Sequence, residues 1–222
     1  MTKEAIRKDE FVLAPTKQEP VYETAKRLLD IFVAIFGIVL ALPFMLLIAI
    51  AIKLEDGGPV FFVHSRVGQG GKSLSLYKFR SMVSNEEELI NQLSDDQKAE
   101  FDRDFKLDHD PRITKVGSFL RKTSLDELPQ LINVVQGTLS VVGPRPVVRK
   151  ELNKYGHGQD LFLSAKPGVT GYWQVNGRSD TTYESGKRQE MELYYAANRS
   201  FALDVKILIK TVSVVLKGKG AR

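Results

Sequence analysis

The chain has 222 residues, no cysteine and a formal net charge of +5. Without cysteine, a disulfide framework and a zinc site with cysteine ligands are both excluded. No zinc-finger pattern, RNA-recognition signature or basic helix accompanies the positive charge, so we expect membrane lipid and phosphorylated substrates as partners, and no nucleic acid.

An uncharged segment of 22 residues, Ile31 to Ile52, lies between Asp30 and Lys53. As a straight helix it would span about 33 Å, roughly the hydrocarbon thickness of a bilayer. The segment therefore predicts a membrane-bound protein. Pro43 lies in its middle and favours a kink or a break. Two topologies stay open, a spanning helix and a re-entrant hairpin with both ends on one face, because the basic residues on the two flanks are balanced.

The predicted fold class is α+β, in three parts. Residues 1–20 are polar, contain two prolines and are predicted to form a flexible tail. Residues 21–55 form the membrane helix. Residues 56–222 are long enough for one small α/β domain with its own core, which carries surface amphipathic helices.

Short elements follow within the domain. Pro59 to Val63 and Leu74 to Tyr77 are predicted to pair as a hairpin around Gly68 to Gly71. Ser84 to Lys106 has a helical pattern with a capping box at its start. Residues 187–217 are predicted to form closing helices, packed on the core or lying on the membrane surface. The predicted polar face contains Lys206, Lys210, Ser213 and Lys217, and the predicted apolar face contains Val205, Leu208, Val212 and Val215.

Two adjacent carboxylates, Asp126 and Glu127, follow Arg121 within about one and a half helical turns. Adjacent carboxylates can hold a divalent cation, and guanidinium groups can bind phosphate through paired hydrogen bonds. The cluster suits phosphoryl transfer, in which positioning and charge neutralisation supply most of the catalysis. The alternative is that both acids simply favour a helix N-terminus.

Two further segments are candidates for binding. In Gly143-Pro-Arg-Pro146, two prolines fix the backbone and orient Arg145. The glycine-rich segment from Lys166 to Arg178 contains the single tryptophan, Trp173, and could stack a base or sugar and bind a phosphate. The alternatives are a rigid surface turn and an ordinary loop with a core tryptophan.

Taken together, these segments resemble the monotopic phosphoglycosyl transferases, bacterial sugar transferases that act on a polyprenyl phosphate. The resemblance covers about residues 22–221 and departs from the usual pattern at His64, where a glutamine is expected, and at Glu192, where an aspartate is common. The matching segments are the proline-containing membrane helix, Gly58-Pro-Val-Phe-Phe62, Arg66-Val-Gly68, Tyr77-Lys-Phe-Arg-Ser-Met82, Asp110-Pro-Arg-Ile-Thr114, Arg121, Asp126-Glu-Leu-Pro-Gln130, Pro144-Arg-Pro146, Gly171 to Arg178 and Leu203 to Leu208.

The resemblance implies transfer of a sugar 1-phosphate from a UDP-sugar to undecaprenyl phosphate with release of UMP, as the first membrane step of exopolysaccharide, capsule or glycan assembly. Asp126 would be the nucleophile that forms a covalent phosphosugar intermediate, and Glu127 would assist it; both would hold Mg²⁺. The phosphate-binding residues would be Lys78, Arg121, Arg145 and Arg178.

The resemblance also implies a re-entrant membrane helix broken at the proline, on the cytoplasmic face of the bacterial inner membrane. A homodimer is a further expectation. For the sugar we expect glucose or galactose, from the Gly220-Ala-Arg222 ending, with an N-acetylated sugar as the alternative.

Two other functions stay open. Asp108-His-Asp110 is a weak Asp-x-Asp metal motif, which would suit a membrane-anchored glycosyltransferase that releases UDP. The alternative that is not an enzyme is a membrane scaffold.

Overall fold

The computed structural model describes residues 20–83, 110–177, 183 and 185–216. Residues 1–19 of the predicted tail over 1–20 and the predicted capping-box helix over 84–106 lie outside these residues, as does the C-terminal ending over 217–222. Within the described residues the fold mixes helices and short strands, as the α+β prediction states.

The helices are α1 (Pro20–Asp56), α2 (Lys115–Thr123), α3 (Gln130–Gln136), α4 (Arg149–Leu152), α5 (Gln159–Ser164), α6 (Tyr172–Asn176), α7 (Lys187–Asn198) and α8 (Phe201–Leu216). The strands are β1 (Phe61–Val67), β2 (Ser73–Phe79), β3 (Ser140–Val142) and β4 (Gly168–Thr170). Short 3₁₀ turns occur at Gln69–Gly71, Leu125–Glu127 and Asn153–Gly158.

Helix α1 is the one described helix that is long and apolar enough to cross a membrane. One face of it packs along the domain, and the opposite face exposes large apolar side chains. The packed positions recur every three or four residues within two groups, Lys26, Asp30 and Ala34 near the start and Met45, Ile48 and Ile52 near the end. Exposed positions include Leu28, Phe32, Phe36, Leu40, Phe44, Leu47 and Leu54.

Pro43 lies inside α1 rather than between two helices, so the prediction of a helix broken at this residue is wrong. One proline removes a single N–H from the helical ladder, and the turns on both sides still form. Ala41 and Met45, which flank Pro43, pack in the same cluster with Phe79 and Leu120 of the domain. This packing holds the two flanking turns on one surface. Re-entrance itself stays a prediction.

The predicted hairpin is confirmed. Strands β1 and β2 pair antiparallel, with Phe61 opposite Phe79 and Val67 opposite Ser73. The connection turns through Gly70 and Gly71, whose φ angles of 67° and 77° lie in the region that glycine adopts without strain.

The second pair of strands is parallel and short. In this pair, β3 and β4 align Ser140 with Gly168 and Val142 with Thr170. The main core forms around it from buried side chains of α1, β2, α3, α7 and α8. Its buried members are Ala34, Leu74, Leu76, Val134, Leu139, Val141, Val142, Tyr195 and Ile207.

A buried polar group, which we name the anchor cluster, joins the start of α1 to α7 and α8. It consists of Tyr22, Lys26, Tyr195 and Asp204. The Lys26 ammonium lies 2.8 Å from Asp204 Oδ2 and donates to the Val142 carbonyl at 2.9 Å. The hydroxyls of Tyr22 and Tyr195 donate to the two oxygens of Asp204 at 3.0 and 2.7 Å. Both carboxylate oxygens therefore have partners.

The closing helices form as predicted, and the structure shows which side of α8 packs on the domain. The side of α8 that faces the domain contains Asp204 and Ile207, whereas Val212 of the predicted apolar face is 60% exposed. The ion pair between Asp204 and Lys26 fixes which side of the helix faces inward. Leu208, which belongs to the predicted apolar face, packs against the core.

Candidate active site

The two adjacent carboxylates lie in a 3₁₀ turn that follows a strained residue. Ser124, at the C-terminal cap of α2, has φ 57° and ψ 19°, the left-handed conformation that a residue other than glycine seldom adopts. Its amide donates back to the Arg121 carbonyl at 3.2 Å. The turn changes the direction of the chain within one residue, so that Leu125–Glu127 can fold back toward β2.

Two cations contact the carboxylates. From β2, the Lys78 ammonium lies 3.3 Å from Asp126 Oδ2 and 2.9 Å from Glu127 Oε1. From the turn after β3, Arg145 Nη2 lies 3.7 Å from Glu127 Oε1. The structure thus brings Lys78 and Arg145, which are distant in sequence, to the adjacent pair Asp126 and Glu127. Their roles stay predictions.

Lys78, Glu127 and Arg145 line a small cleft beside Asp126, which we name the dyad cleft. Its lining residues are Arg66, Leu76, Lys78, Glu127, Gln130, Arg145, Pro146, Gly168 and Val169. Three of these side chains are cationic and one is a carboxylate. Because a cleft of one dominant sign attracts and concentrates ligands of the opposite sign, this composition suits an anionic ligand.

Burial and neighbouring charges shift the titration of the groups in and around the dyad cleft. Burial raises the pKa of Asp126, and the charge of Lys78 opposes that shift. Burial, followed by the charge of Arg145, lowers the pKa of Arg66. Burial, together with Arg66 and Lys78, lowers the pKa of His64 to about 4. His64 is therefore neutral at neutral pH.

Two arginine N–H groups near the adjacent carboxylates have no hydrogen-bond acceptor. Arg66 Nε and Arg121 Nη1 are buried and have no hydrogen-bond partner. The other contacts of Arg66, to Glu151 and to the His64 ring, are long at 3.4 Å. A buried donor without an acceptor is costly, so these groups are suited to an anionic oxygen supplied by a ligand. Arg178, the fourth predicted phosphate-binding residue, lies outside the described residues.

The turn that carries Arg145 packs tightly against the segment before β4. Gly143 donates to the Thr170 carbonyl at 2.8 Å, and Gly168 donates to the Pro144 carbonyl at 2.9 Å. A Cβ atom at Gly143 would lie 2.3 Å from the Lys166 carbonyl oxygen, so only glycine allows this approach. The glycines of the two predicted binding segments therefore place their backbones in direct contact.

The adjacent carboxylates fit a hard divalent cation in part. Asp126 and Glu127 supply oxygen ligands, and Glu127 lines the cleft. Among the described residues, no group of three or more acidic or imidazole side chains could hold a metal ion alone. Magnesium is commonly held by one or two carboxylates together with substrate phosphates and water, so this donor set is adequate once a phosphate is bound.

Sequence reasoning missed two residues of this region. Arg66 was noted only as part of a matching segment, and Glu192 was left without a role, but the structure places Arg66 in the cleft lining and Glu192 against the amide of Arg145. No local pattern marks them. Only the pairing of β1 with β2 brings Arg66 near Lys78, and only the packing of α7 brings Glu192 under the turn.

The Asp-x-Asp alternative depends on Asp110, because Asp108 lies outside the described residues. Both oxygens of Asp110 are bound to Arg112, at 2.8 Å from Nε and 2.6 Å from Nη2. The hydrogen bonds from Arg112 lower the pKa of Asp110, against the opposing effect of burial, which is the largest single influence. A carboxylate occupied in this way is a poor candidate for a metal ligand.

A family model described as bacterial sugar transferase matches residues 21–218. The chain belongs to this family. It is 47% identical over 199 residues to the undecaprenyl-phosphate galactose phosphotransferase of Salmonella typhimurium. It is 49% identical over 199 residues to the UDP-galactose-lipid carrier transferase of Erwinia amylovora. Both alignments cover 88% of this chain but 41% of the relative, so the chain spans about two fifths of their length.

A third relative has a similar length. The exopolysaccharide production protein ExoY of Rhizobium meliloti is 40% identical over 205 residues, which cover 91% of this chain and 90% of that protein. The bacterial sugar transferase family therefore includes proteins that consist mainly of the region found here.

Proposed function

We propose that this bacterial sugar transferase moves a sugar 1-phosphate from a UDP-sugar to undecaprenyl phosphate and releases UMP. The observation that carries the proposal is the contact of Lys78 and Arg145 with the adjacent carboxylates Asp126 and Glu127 inside a cationic cleft. The names of the Salmonella and Erwinia relatives support galactose as the sugar and undecaprenyl phosphate as the acceptor. The product would enter exopolysaccharide or capsule synthesis, as the name of the Rhizobium relative suggests.

In the first step, an Asp126 oxygen attacks the phosphorus that carries the sugar. The new bond joins Asp126 to that phosphorus, and the bond to the bridging oxygen breaks, so that UMP leaves with the electron pair. In the second step, a phosphate oxygen of the acceptor attacks the same phosphorus and releases the Asp126 carboxylate. A covalent intermediate divides one difficult displacement into two easier ones.

The surrounding cations favour this sequence of events. Lys78 stabilises the ionised form of Asp126 against the effect of burial. Arg145, Arg66 and Arg121 can donate to the oxygens of the diphosphate, where negative charge develops on the departing UMP. Bidentate arginine contacts also fix the orientation of a phosphate, which brings the phosphorus within reach of Asp126.

Magnesium would be held by Asp126 and Glu127, with phosphate oxygens completing the ligand set. It would neutralise charge on the diphosphate. A chelator should therefore abolish turnover, and added Mg²⁺ should restore it. Turnover that persists in excess chelator would remove the metal from the proposal.

We also propose that both ends of α1 lie on the cytoplasmic side of the membrane. At one end, Arg27 donates to the Val134 carbonyl at 2.6 Å. At the other end, Glu55 accepts from the Lys115 amide at 2.8 Å, and Asp56 pairs with Arg80. One polar domain contacts both flanks of the uncharged segment, and a polar domain cannot occupy both sides of a bilayer.

Single cysteines test this topology cleanly, because the chain has none of its own. Val21 and Leu54 lie near the two ends of α1 and are 76% and 81% exposed. In intact cells, Val21→Cys and Leu54→Cys should both resist a membrane-impermeant thiol reagent, and both should react once the inner membrane is opened. Labelling of one position and protection of the other in intact cells would establish a spanning helix instead.

The central experiment is incubation of the protein with a panel of UDP-sugars, undecaprenyl phosphate and Mg²⁺. We expect UMP release with UDP-galactose. With UDP-galactose alone, the protein should gain the mass of a hexose phosphate at Asp126. Release of UDP would instead identify the glycosyltransferase alternative, and release of neither nucleotide with any donor would support a scaffold.

A further inference from the structure

The backbone around Arg145 has an unusual hydrogen-bonding requirement. Pro144 and Pro146 have no amide hydrogen, so the amide of Arg145 is the single backbone donor in this three-residue segment. The segment follows the end of β3, and no strand pairs with it in the described part of the chain. A buried amide without an acceptor would destabilise this arrangement.

Glu192, on α7, meets this requirement. Its carboxylate oxygens Oε1 and Oε2 lie 3.3 and 3.2 Å from the Arg145 amide nitrogen. The residue is fully buried, so its carboxylate does not reach a ligand in the cleft. A buried carboxylate normally requires a charged or hydrogen-bonded partner.

The neighbouring charged group, Arg188, stabilises the charge of Glu192 without pairing with it directly. Arg188, on the same helix, lies with its guanidinium carbon 4.2 Å from the Trp173 ring centroid and 4.0 Å from that of Tyr183. This stacking fixes the guanidinium between two aromatic rings, and its charge opposes the effect of burial on Glu192. The carboxylate is thus free to accept from the Arg145 amide.

Helix α7 also contacts the chain on the other side of the turn. The Tyr195 hydroxyl, one helical turn after Glu192, lies 3.0 Å from the Val142 carbonyl oxygen. Glu192 and Tyr195 therefore contact residues 145 and 142 from one rigid helix. Their spacing sets the position of the turn relative to α7.

We propose that Glu192 is a positioning residue for Arg145: its buried carboxylate binds the Arg145 amide and so aims the guanidinium at the phosphate oxygens of the donor substrate. The inference rests on the proposed function and assigns a role to a residue outside the cleft. A shift of about 1 Å in a group that binds the reacting phosphate can cost roughly 100-fold in rate.

A double-mutant cycle tests this role. Glu192→Met keeps the length of the side chain and removes the acceptor, and we expect it to lower kcat/KM for the UDP-sugar by roughly 10- to 100-fold. In an Arg145→Ala background there is no guanidinium to aim. There, the same Glu192→Met change should lower kcat/KM by less than about threefold, because the effects of substituting two residues that act as one unit do not add. Equal losses in the two backgrounds would overturn the proposal.

Conservative and matched variants separate positioning from a general loss of structure. Glu192→Gln keeps a carbonyl oxygen for the amide and should retain activity within about fivefold, since one acceptor suffices for one donor. Glu190→Met and Glu190→Gln make the same chemical changes at an exposed position of α7 and should be silent. A Glu192→Met enzyme as active as Glu190→Met would contradict the role. If Glu192→Met does not fold, Glu192→Leu also removes the acceptor and completes the same cycle.

Binding of inorganic pyrophosphate, measured by calorimetry, provides a second cycle that does not depend on turnover. Glu192→Met should weaken binding in the wild-type background and leave it unchanged in the Arg145→Ala background. If the wild-type protein releases no UMP yet shows this coupling, the proposed function fails and the positioning role stands. If UMP is released and neither cycle shows coupling, only the positioning role is wrong.

Discussion

The anchor cluster and the dyad cleft are both built from charged side chains, but they differ in how fully those charges are paired. In the anchor cluster, the Asp204 carboxylate is fully buried and accepts bonds of 2.7, 2.8 and 3.0 Å. In the dyad cleft, the contact of Arg145 with Glu127 is 3.7 Å long, and Arg66 Nε has no acceptor. A saturated network favours one conformation, whereas an unsaturated one is suited to bind a ligand.

This difference predicts opposite effects of substitution. Changes in the anchor cluster should reduce stability, because they leave a buried charge without its partner. Changes in the dyad cleft should reduce activity and leave stability nearly unchanged, because the cleft groups are only partly used in the folded protein.

The largest effect is expected for Asp126→Asn, which keeps the shape of the side chain and removes the attacking oxygen charge. Turnover should fall by roughly 10⁶-fold, the size of effect seen when a nucleophile is removed. Stability should not fall, because burial already raises the pKa of Asp126 and disfavours its charge. UMP release and the unfolding temperature measure the two effects. Asp160→Asn, at an exposed position, is the control, and near-normal turnover by Asp126→Asn would exclude the covalent mechanism.

The next effect concerns the anchor cluster. Lys26→Met leaves Asp204 buried without its ammonium partner and should lower the free energy of unfolding by roughly 3–5 kcal/mol. The double variant Lys26→Met with Asp204→Asn should be less destabilised than Lys26→Met alone, because no unpaired charge remains. Urea unfolding of the detergent-solubilised protein measures both. Lys206→Met, exposed on α8, should be nearly neutral, and a loss at Lys26 no larger than that at Lys206 would refute the comparison.

The dyad cleft and the anchor cluster also differ in what sequence could predict. The adjacent carboxylates and the arginine between two prolines are local patterns, and the structure places Glu127 and Arg145 in contact. The hairpin follows from alternating apolar residues around glycines, a second local signal. The anchor cluster joins positions 178 residues apart, Lys26 and Asp204, and no local pattern reports such a pair.

The same limit applies to the helices. Pro43 predicted a broken α1 because propensity describes an isolated helix, whereas the flanking Ala41 and Met45 pack on the domain. The inward side of α8 contains the buried Asp204, which the apolar pattern of the sequence does not mark. In both cases a tertiary contact between distant residues decides the arrangement.

A comparison of two buried carboxylates gives a further prediction. Asp204 has an ammonium partner, but Glu192 has a backbone amide, and burial raises the pKa of Glu192 from 4.5 to about 7. Between these two pH values the unfolded chain loses this proton while the folded protein keeps it. The contribution of Glu192 to stability is therefore present below about pH 4.5 and is lost as the pH rises through about 7.

Glutamine at position 192 does not titrate, so Glu192→Gln should become more stable relative to wild type as the pH rises from 5 to 8. Arg188, Arg145 and Tyr155 face this group and are unchanged in both proteins. Urea midpoints at the two pH values measure the difference. Glu190→Gln should show no such trend, and a constant difference between Glu192→Gln and wild type would contradict the raised pKa.

The smallest effect is expected at Ser124, whose strained backbone lies directly before the carboxylates of the dyad cleft. At φ 57° a β-branched side chain is disfavoured, so Ser124→Val should cost about 1–2 kcal/mol of stability. Ser124→Gly should be nearly neutral, because the relief of strain is offset by the greater freedom of glycine in the unfolded chain. Neither variant keeps the Ser124 hydroxyl, so a difference in activity between them reflects the backbone conformation and not the loss of that group. If the left-handed turn orients Asp126, the glycine variant keeps its activity and the valine variant loses more activity than its stability explains. Equal activities of the two variants would show that the conformation at Ser124 does not control the dyad.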